Sequence, residues 1–303
     1  MNALCHEVQV EGVLKTNEPM ARHTSWRAGG PAECYFKPAS IADLSRFLSE
    51  LDDDVPVLWV GLGSNLLVRE GGVGGVVIGT KGLLNSLERL DETLVRAEAG
   101  VPCTTLARQC VRWGLGPAAF FAGIPGTVGG ALAMNAGAFG GETWEQVVAV
   151  TTMDRAGVLR ERAPADFQVG YRCVVGPADE WFISATLRFD ARPDTSLAEI
   201  KSLVARRKET QPIGQPSCGS VFRNPTGDHA ARLIEAAGLK GYAVGGAVVS
   251  DKHANFIINR DHASATDIEQ LIAHVRATVA AQHGVQLELE VRIVGAPPDG
   301  GST

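Results

Sequence analysis

The sequence lacks any CxxC pair, and its six cysteines (Cys5, Cys34, Cys103, Cys110, Cys173 and Cys218) follow neither a zinc-ligand nor a disulfide-scaffold spacing. Buried free thiols in a reducing cytoplasm are therefore expected, and no metal site is. No long apolar run is left unbroken. The longest candidate, residues 117–141, is cut repeatedly by Gly and Pro, which excludes a membrane helix. Residues 1–12 carry Glu7 and Glu11 and no apolar core, so no signal peptide is read there. An excess of positive charge is missing too. With 28 basic and 34 acidic residues the net charge is −6, which argues against non-specific nucleic-acid binding and leaves room for a local cationic site. Neither a solenoid-length repeat nor a low-complexity linker is present.

What is there belongs to a folded protein. At 303 residues and 45% hydrophobic content the chain is long enough for two or three domains with real cores. Ser40 is placed to cap a helix running to Leu51, with Ile41, Leu44, Phe47, Leu48 and Leu51 on one face. Short apolar strands are expected at Val55–Val60, Val76–Ile78 and Leu94–Ala99, followed by a helix over Thr104–Trp113 that Gly114 closes. This alternation predicts α+β or α/β packing. The middle of the chain is richer in strands. Residues 146–153 and 158–162 flank a hairpin turn at Asp154–Gly157, and Phe182–Phe189 adds another strand. A helix over Ser196–Lys208, with Leu197, Ile200, Leu203 and Val204 inward, runs into Pro212 and Pro216, which places a domain boundary near 195–215. Two more helices are expected at Asp228–Ala237 and Thr266–Gln282, stopped by Gly238 and Gly284. The last stretch predicts a long strand, with Val285, Leu287, Leu289, Val291 and Ile293 on one face and Gln286, Glu288, Glu290 and Arg292 on the other.

The 35 glycines cluster, and clustered glycine marks close approach of backbone to something else. Gly61-Leu62-Gly63-Ser64-Asn65-Leu66-Leu67-Val68 follows a strand and could present backbone N–H groups to an anion. It matches neither a dinucleotide fingerprint, because more strand follows, nor a Walker loop, because the Lys-Ser/Thr ending is absent. An ordinary tight turn explains it equally. A second stretch, Gly123 to Gly140, has small residues and no charge. It suits backbone lying flat against a large planar or phosphate-bearing ligand; close packing through glycines is the alternative. Ser217 to Pro225 gathers a hydroxyl, a cation and an amide beside Gly219, and taken alone reads as a capping or turn serine. Taken locally, Glu288, Glu290 and Arg292 are a solvated strand face.

In their order along the chain these segments resemble the UDP-N-acetylenolpyruvoylglucosamine reductases, the MurB flavoenzymes of peptidoglycan precursor synthesis. The resemblance runs from His23-Thr24-Ser25-Trp26-Arg27-Ala28-Gly29-Gly30-Pro31 through residues 61–68 and 124–140 to Gly170-Tyr171-Arg172. It continues through residues 219–225, Leu239-Lys240-Gly241, Gly245-Gly246-Ala247 and Lys252–Asn259 to Glu290-Val291-Arg292. It implies an α+β fold: an FAD-binding domain of the vanillyl-alcohol-oxidase/PCMH type in two subdomains, residues 1–85 and 86–195, and an α+β substrate-binding domain at 196–303. Few residues separate Arg172 from the strand at Phe182, and the only tyrosines are Tyr35, Tyr171 and Tyr242. The chain thus resembles the shorter subtype, without the family's tyrosine-bearing insertion. It departs from many relatives in carrying Val174 two residues after the arginine, and Cys218 beside Ser220.

The reaction implied by the resemblance is reduction of the enolpyruvyl ether of UDP-N-acetylglucosamine to a lactyl ether. NADPH is the hydride donor and non-covalent FAD the carrier. Ser220 then matches the proton donor, and Arg172 and Glu290 the pair that stabilises the substrate carboxylate as charge builds. FAD contacts are implied at Gly61, Gly63, Ser64, Asn65 and Leu66, at Ile124, Pro125, Gly126, Gly129 and Gly130, and at Asn135, Gly137 and Arg292. Substrate contacts are implied at Tyr171, Asn224, Lys240, Lys252 and His253. The expectation is a cytoplasmic, monomeric enzyme that binds neither nucleic acid nor membrane. Two other readings remain: a covalent-flavin oxidase, for which no attachment residue stands out, and a non-catalytic binding module, which should lack one of Ser220, Arg172 and Glu290.

Overall fold

In the computed structural model, residues 9–298 are described. Backbone contacts divide them into two units interleaved along the sequence. The first contains the described residues to Lys15, Tyr35–Gly61 and Val77–Arg207; the second contains Thr16–Cys34, Leu62–Val76 and everything from Lys208 onward. Three strands of a four-stranded sheet, ordered Val13–Pro19, Pro31–Lys37, Val73–Gly79 and Val57–Val60, carry the chain from one unit to the other.

The first unit is built on a five-stranded sheet in the order Leu159–Arg162, Val147–Asp154, Glu180–Arg188, Leu94–Glu98 and Leu87–Arg89. Every neighbouring pair is antiparallel. The expected hairpin joins the first two strands. Val158 N–H donates to Asp154 Oδ1 at 2.9 Å, and Gly157 takes φ +76° where a Cβ would lie 2.2 Å from the Ser45 carbonyl. Only glycine fits there. Helix α1 (Ile41–Glu50) starts at Ser40, whose hydroxyl accepts from Asp43 N–H at 3.0 Å, and buries Leu44, Phe47 and Leu48. Asp43 is buried as well. Burial alone would raise its carboxyl, but N–H groups of Ala39, Glu11 and Gly12 and the Arg46 guanidinium hold it below the usual carboxylate range. Helix α2 (Cys103–Arg112) packs Leu106, Ala107, Cys110 and Val111 against Phe121, Leu187 and Phe189, and Gly114 follows it at φ +71°. Helices α3 (Val128–Ala133) and α4 (Leu197–Thr210) join the same core, α4 through Leu197, Ile200, Leu203 and Val204, as its spacing predicts.

The second unit packs helices α5 (Ala230–Ala236) and α6 (Ala265–His283) with a sheet ordered Ala243–Val244, Ala247–Val249 and Ile257–Asn259. Ser264 caps α6 in a reciprocal box with Asp267, and Gly284 ends it in the left-handed conformation. Trp26, wholly buried, donates its indole N–H to the Ile257 carbonyl at 2.7 Å. Asn259 Nδ2 returns a bond to the Trp26 carbonyl at 2.8 Å.

The long final strand is the main correction. Only Arg292–Val294 forms a strand, parallel to Leu66–Val68. The alternation of burial holds, with Leu287 and Val291 inside and Gln286, Glu288 and Arg292 outside. What is missing is a ladder. Before Arg292 the backbone is held at single points, Leu289 by an isolated bridge to Phe222, so period two in burial did not require a strand. The expectation for the thiols is also corrected at one position: Cys34, Cys103, Cys110 and Cys218 are buried, but Cys173 is exposed. Cys5 lies outside the described residues.

Candidate active site

The turn after Val57–Val60 is shaped by close approaches. A Cβ on Gly61 would stand 2.8 Å from Thr127 Oγ1. Gly63 has φ +60°, and its Cβ would lie 2.0 Å from the His23 carbonyl. No other residue fits at Gly63. The Gly63 carbonyl accepts from Ser25 N–H at 3.0 Å and the Asn65 carbonyl from Arg292 N–H at 3.1 Å. Cys218 Sγ lies 3.4 Å from the Leu66 carbonyl and 3.7 Å from that of Gly63. Burial pushes this thiol up to about 12, so Cys218 is a packing group that props the turn rather than a nucleophile. The Gly63 and Asn65 carbonyls are thus committed to protein. Leu66–Val68 continues as strand, so the expected absence of a helix after the turn holds.

The glycine-rich stretch divides into two uses. Ile124, Val128, Ala131, Leu132 and Ala136 are buried in the core, more than so small a set of side chains suggested. A Cβ on Gly129 would come within 2.8 Å of Ala99 Cβ and one on Gly123 within 2.5 Å of Ala138 Cβ. At these positions the packing alternative is the observed one. Gly129 N–H donates to the Ala99 carbonyl at 2.8 Å, and Gly126 O accepts from Cys103 N–H at 2.9 Å. Elsewhere the stretch is open. Pro125 and Gly130 are exposed. A Cβ on Gly130 would meet only Thr127 Oγ1, at 3.8 Å, and one on Gly140 nothing within 4 Å. Within the first unit, the low-bulk backbone surface at Pro125–Gly130 beside Gly61 and Thr127 is of a kind that fits part of a flavin dinucleotide.

Asn135 and Arg172 form one cluster. Asn135 Nδ2 donates to Glu142 Oε2 at 2.8 Å and to the Gly170 carbonyl at 3.2 Å, and its Oδ1 accepts from Trp144 N–H at 3.1 Å. Its side chain is thus committed to the protein, not aimed at a ligand. Tyr171 and Arg172 join the paired strands Gln168–Gly170 and Cys173–Val175. Arg172 donates from Nη1 to the Asn135 carbonyl at 3.2 Å and from Nη2 to the Gly137 carbonyl at 3.0 Å. Its Cζ lies 5.1 Å from the ring centroid of the exposed Tyr171.

In the second unit the structure brings together Ser220, Glu290 and Asn65. The Val221 carbonyl accepts from Glu290 N–H at 2.9 Å, and Asn65 Nδ2 donates to the Glu290 carbonyl at 2.9 Å. Asn65 therefore works on Glu290's backbone, a use not legible in the turn itself. Ser220 is half-buried and follows Gly219, which has φ +74° and open space around its Cβ position. Glu288 is turned to solvent, 3.9 Å from Arg223, whereas Glu290 is half-buried.

The expected substrate contacts are dispersed in what they hold. Asn224 Oδ1 accepts from Ala230 N–H at 3.1 Å at the start of α5. Lys240 pairs with Glu235 at 2.6 Å, and Lys252 Nζ donates to the Lys208 carbonyl. His253 packs edge-on against Phe256 at 4.8 Å. Burial depresses its imidazole below the ordinary value, and the Lys240 charge adds to this; its Nδ1 has no hydrogen-bond partner. Asn255, buried and bonded to the Phe222 peptide groups, is not singled out by the sequence. The available signal was a single amide inside the apolar run Ala254 to Ile258.

Among the described residues, no group of three or more His, Cys, Asp or Glu is placed to hold a metal, and no helix is long and apolar enough to cross a membrane.

Comparison with known proteins decides the family. The C-terminal domain model of UDP-N-acetylenolpyruvoylglucosamine reductase matches residues 211–294, and an FAD binding domain model matches residues 32–162. A UDP-N-acetylenolpyruvoylglucosamine reductase of Alkalilimnicola ehrlichii is 62% identical over 94% of this chain and 95% of its own. The chain belongs to the UDP-N-acetylenolpyruvoylglucosamine reductase family. The Methylococcus capsulatus reductase is 57% identical over 94% of each chain. The crystal structure of the reductase (MurB) from Thermus caldophilus superposes with a TM-score of 0.80 at 30% identity, covering 94% of this chain and 99% of that one. The fold is accordingly an α+β FAD-binding domain with a reductase C-terminal domain, and the protein is an FAD-dependent oxidoreductase.

Proposed function

We propose that this chain reduces UDP-N-acetylglucosamine enolpyruvate to UDP-N-acetylmuramate, with NADPH as donor and non-covalently bound FAD, as a monomer in the cytoplasm. The step supplies peptidoglycan precursor synthesis. The observation that carries the reading is the Ser220–Glu290 arrangement: a half-buried serine next to Val221, whose carbonyl accepts from Glu290 N–H. The reductase names of the relatives support it.

Gly61–Leu66 would receive the FAD pyrophosphate through backbone N–H groups, and residues 124–130, Gly137 and Arg292 would border the rest of the dinucleotide, while Asn135 acts through its backbone. When bound, FAD supplies hydride transfer from NADPH to the β-carbon of the enol ether. The chain's own residues do the rest. Arg172, already oriented by two carbonyls, presents a fixed positive charge to the substrate carboxylate. Glu290, acting as a protonated carboxyl, donates a hydrogen bond to the same carboxylate as negative charge develops on it. Ser220 gives its hydroxyl proton to the α-carbon and recovers one from solvent. A serine is a weak acid, but an enolate is a strong enough base to take its proton at hydrogen-bond distance. Tyr171, Asn224, Lys240, Lys252 and His253 are proposed to contact the nucleotide sugar, and the segments 1–85, 86–195 and 196–303 to divide the labour as two FAD subdomains and a substrate domain.

The test is spectroscopic. The purified protein should be yellow, release FAD on acid precipitation, bleach under anaerobic NADPH and recover its colour when the enolpyruvyl substrate is added. Flavin retained in the pellet would favour a covalent-flavin oxidase. Bleaching without recovery would remove the proposed substrate.

A further inference from the structure

Residues 220 and 221 lie outside any ladder, and Phe222 joins only an isolated bridge, so something other than a neighbouring strand has to fix the Ser220 backbone. On one side that something is a side chain. Asn255, only 3% exposed, sets its amide against the peptide groups of Phe222. Phe222 N–H donates to Asn255 Oδ1 at 3.0 Å, and Asn255 Nδ2 donates to the Phe222 carbonyl at 2.8 Å. The Asn255 carbonyl accepts from Val221 N–H at 2.9 Å. On the other side, the Val221 carbonyl accepts from Glu290 N–H at 2.9 Å and Val291 N–H at 3.3 Å. Asn255 thus stands behind two peptide groups that separate Ser220 from Glu290.

We infer that Asn255 is the positioning residue for proton delivery, holding Ser220 and, through Val221, Glu290 in register. This rests on the proposed role of Ser220. The chemistry selects asparagine. Its amide carries one donor and one acceptor on a short stem, the complement of a peptide unit. An ionised aspartate only accepts, and would face the Phe222 carbonyl with a like dipole. Alanine would leave a buried N–H and a buried carbonyl without partners. Gly219 on the other flank has nothing within 4 Å of its Cβ position, so packing around that residue does not by itself set the serine. A shift on the order of 1 Å in a positioned group costs about 10²-fold.

The experiment uses the FAD-loaded enzyme, with flavin content, melting temperature and the two half-reactions measured by stopped flow. Asn255→Ala should keep its flavin and be reduced by NADPH within about twofold of the native rate, while reoxidation by the enolpyruvyl substrate falls roughly 10- to 100-fold. In a double-mutant cycle, adding Asn255→Ala to Ser220→Ala should cost clearly less than it does in the native enzyme. Asn255→Asp supplies an independent arm if the alanine variant does not accumulate folded. A protonated carboxyl repeats the donor and acceptor of the amide, so its reoxidation rate should rise as pH falls, above any pH effect in the native enzyme. A parallel loss of flavin, melting temperature and both half-reactions, a fully additive cycle, or an aspartate variant without that pH dependence overturns the inference alone. Native enzyme that the substrate does not reoxidise overturns the functional reading, and this inference with it.

Discussion

Arg172 and Ser220, the proposed carboxylate cation and the proposed acid, are held by different means. Arg172 stands at the end of a two-stranded ribbon whose members, Gln168–Gly170 and Cys173–Val175, are adjacent in sequence. Its guanidinium bonds to carbonyls 37 and 35 residues earlier, within the same unit. Ser220 has no such frame. Its neighbour Phe222 is held by a side chain 33 residues further on, and Glu290 is held by Asn65, 225 residues earlier. A short ribbon can form early and locally; the Ser220 segment acquires its geometry only when distant parts of its unit have docked. The first region should therefore respond to substitution as a binding group and the second as a precision device.

The sharpest way to break this contrast is at Ser220. Flavin reduction by NADPH needs no proton from its hydroxyl, so Ser220→Ala should be reduced at a near-native rate. Reoxidation by the enolpyruvyl substrate does need it and should fall by about 10² to 10⁴-fold, the value of a positioned acid. Ser220→Cys should recover part of that loss, since a thiol also donates, at a cost from the larger sulfur. Stopped-flow measurement separates the half-reactions. Equal slowing of both would make Ser220 a structural residue, and the contrast with Arg172 would disappear.

The same contrast explains what the sequence could disclose. Helices α1, α2 and α6 were readable because a capping residue and an apolar period lie within one segment: Ser40 before Leu44, Phe47 and Leu48, or Gly284 after Val275 and Val279. The turn at Asp154–Gly157 was readable for the same reason. Arg172 and its ribbon were legible as a motif, though not as a hairpin. The glycine stretch was half legible, because whether a missing Cβ makes room for a ligand or for Ala99 depends on what packs there. The end of the chain misled, since its alternation reported burial faithfully while strand pairing depended on where Leu66–Val68 came to lie. Asn255 was invisible for the deepest reason. Its partners are backbone groups, and backbone groups have no sequence.

A smaller effect sharpens the distinction within the second region. Glu288 and Glu290 stand on the exposed side of one alternation, but Glu288 is free to solvent with only a distant ion pair to Arg223, at 3.9 Å. Such a pair contributes at most about 1 kcal/mol. Glu290 is half-buried and pinned at both its N–H and its carbonyl. Glu290→Gln should lower the rate of reoxidation roughly 100-fold with flavin content and melting temperature unchanged, whereas Glu288→Gln should stay within about twofold, as expected for surface substitutions. Equal, mild effects would return both residues to a solvated face and leave Ser220 without its partner.

The smallest expected effect tests the other side of the comparison. Arg172→Lys keeps the charge but loses the fork: an ammonium cannot reproduce two separately directed Nη donors, one to Asn135 and one to Gly137. The ribbon itself does not depend on those bonds, because its register is set by the pairs Gln168–Val175, Val169–Val174 and Gly170–Cys173. Stability should therefore change little. The cation, however, would no longer be oriented before substrate arrives, and one charge-assisted hydrogen bond is worth about 1.5–3 kcal/mol. The expectation is a KM for the enolpyruvyl substrate raised on the order of tenfold, with the NADPH half-reaction unaffected and the reoxidation rate at saturating substrate reduced only a few-fold. A large fall in the saturated rate with KM unchanged would show that Arg172 is tuned as finely as Ser220, and the distinction between a locally framed binding group and a remotely framed acid would not stand.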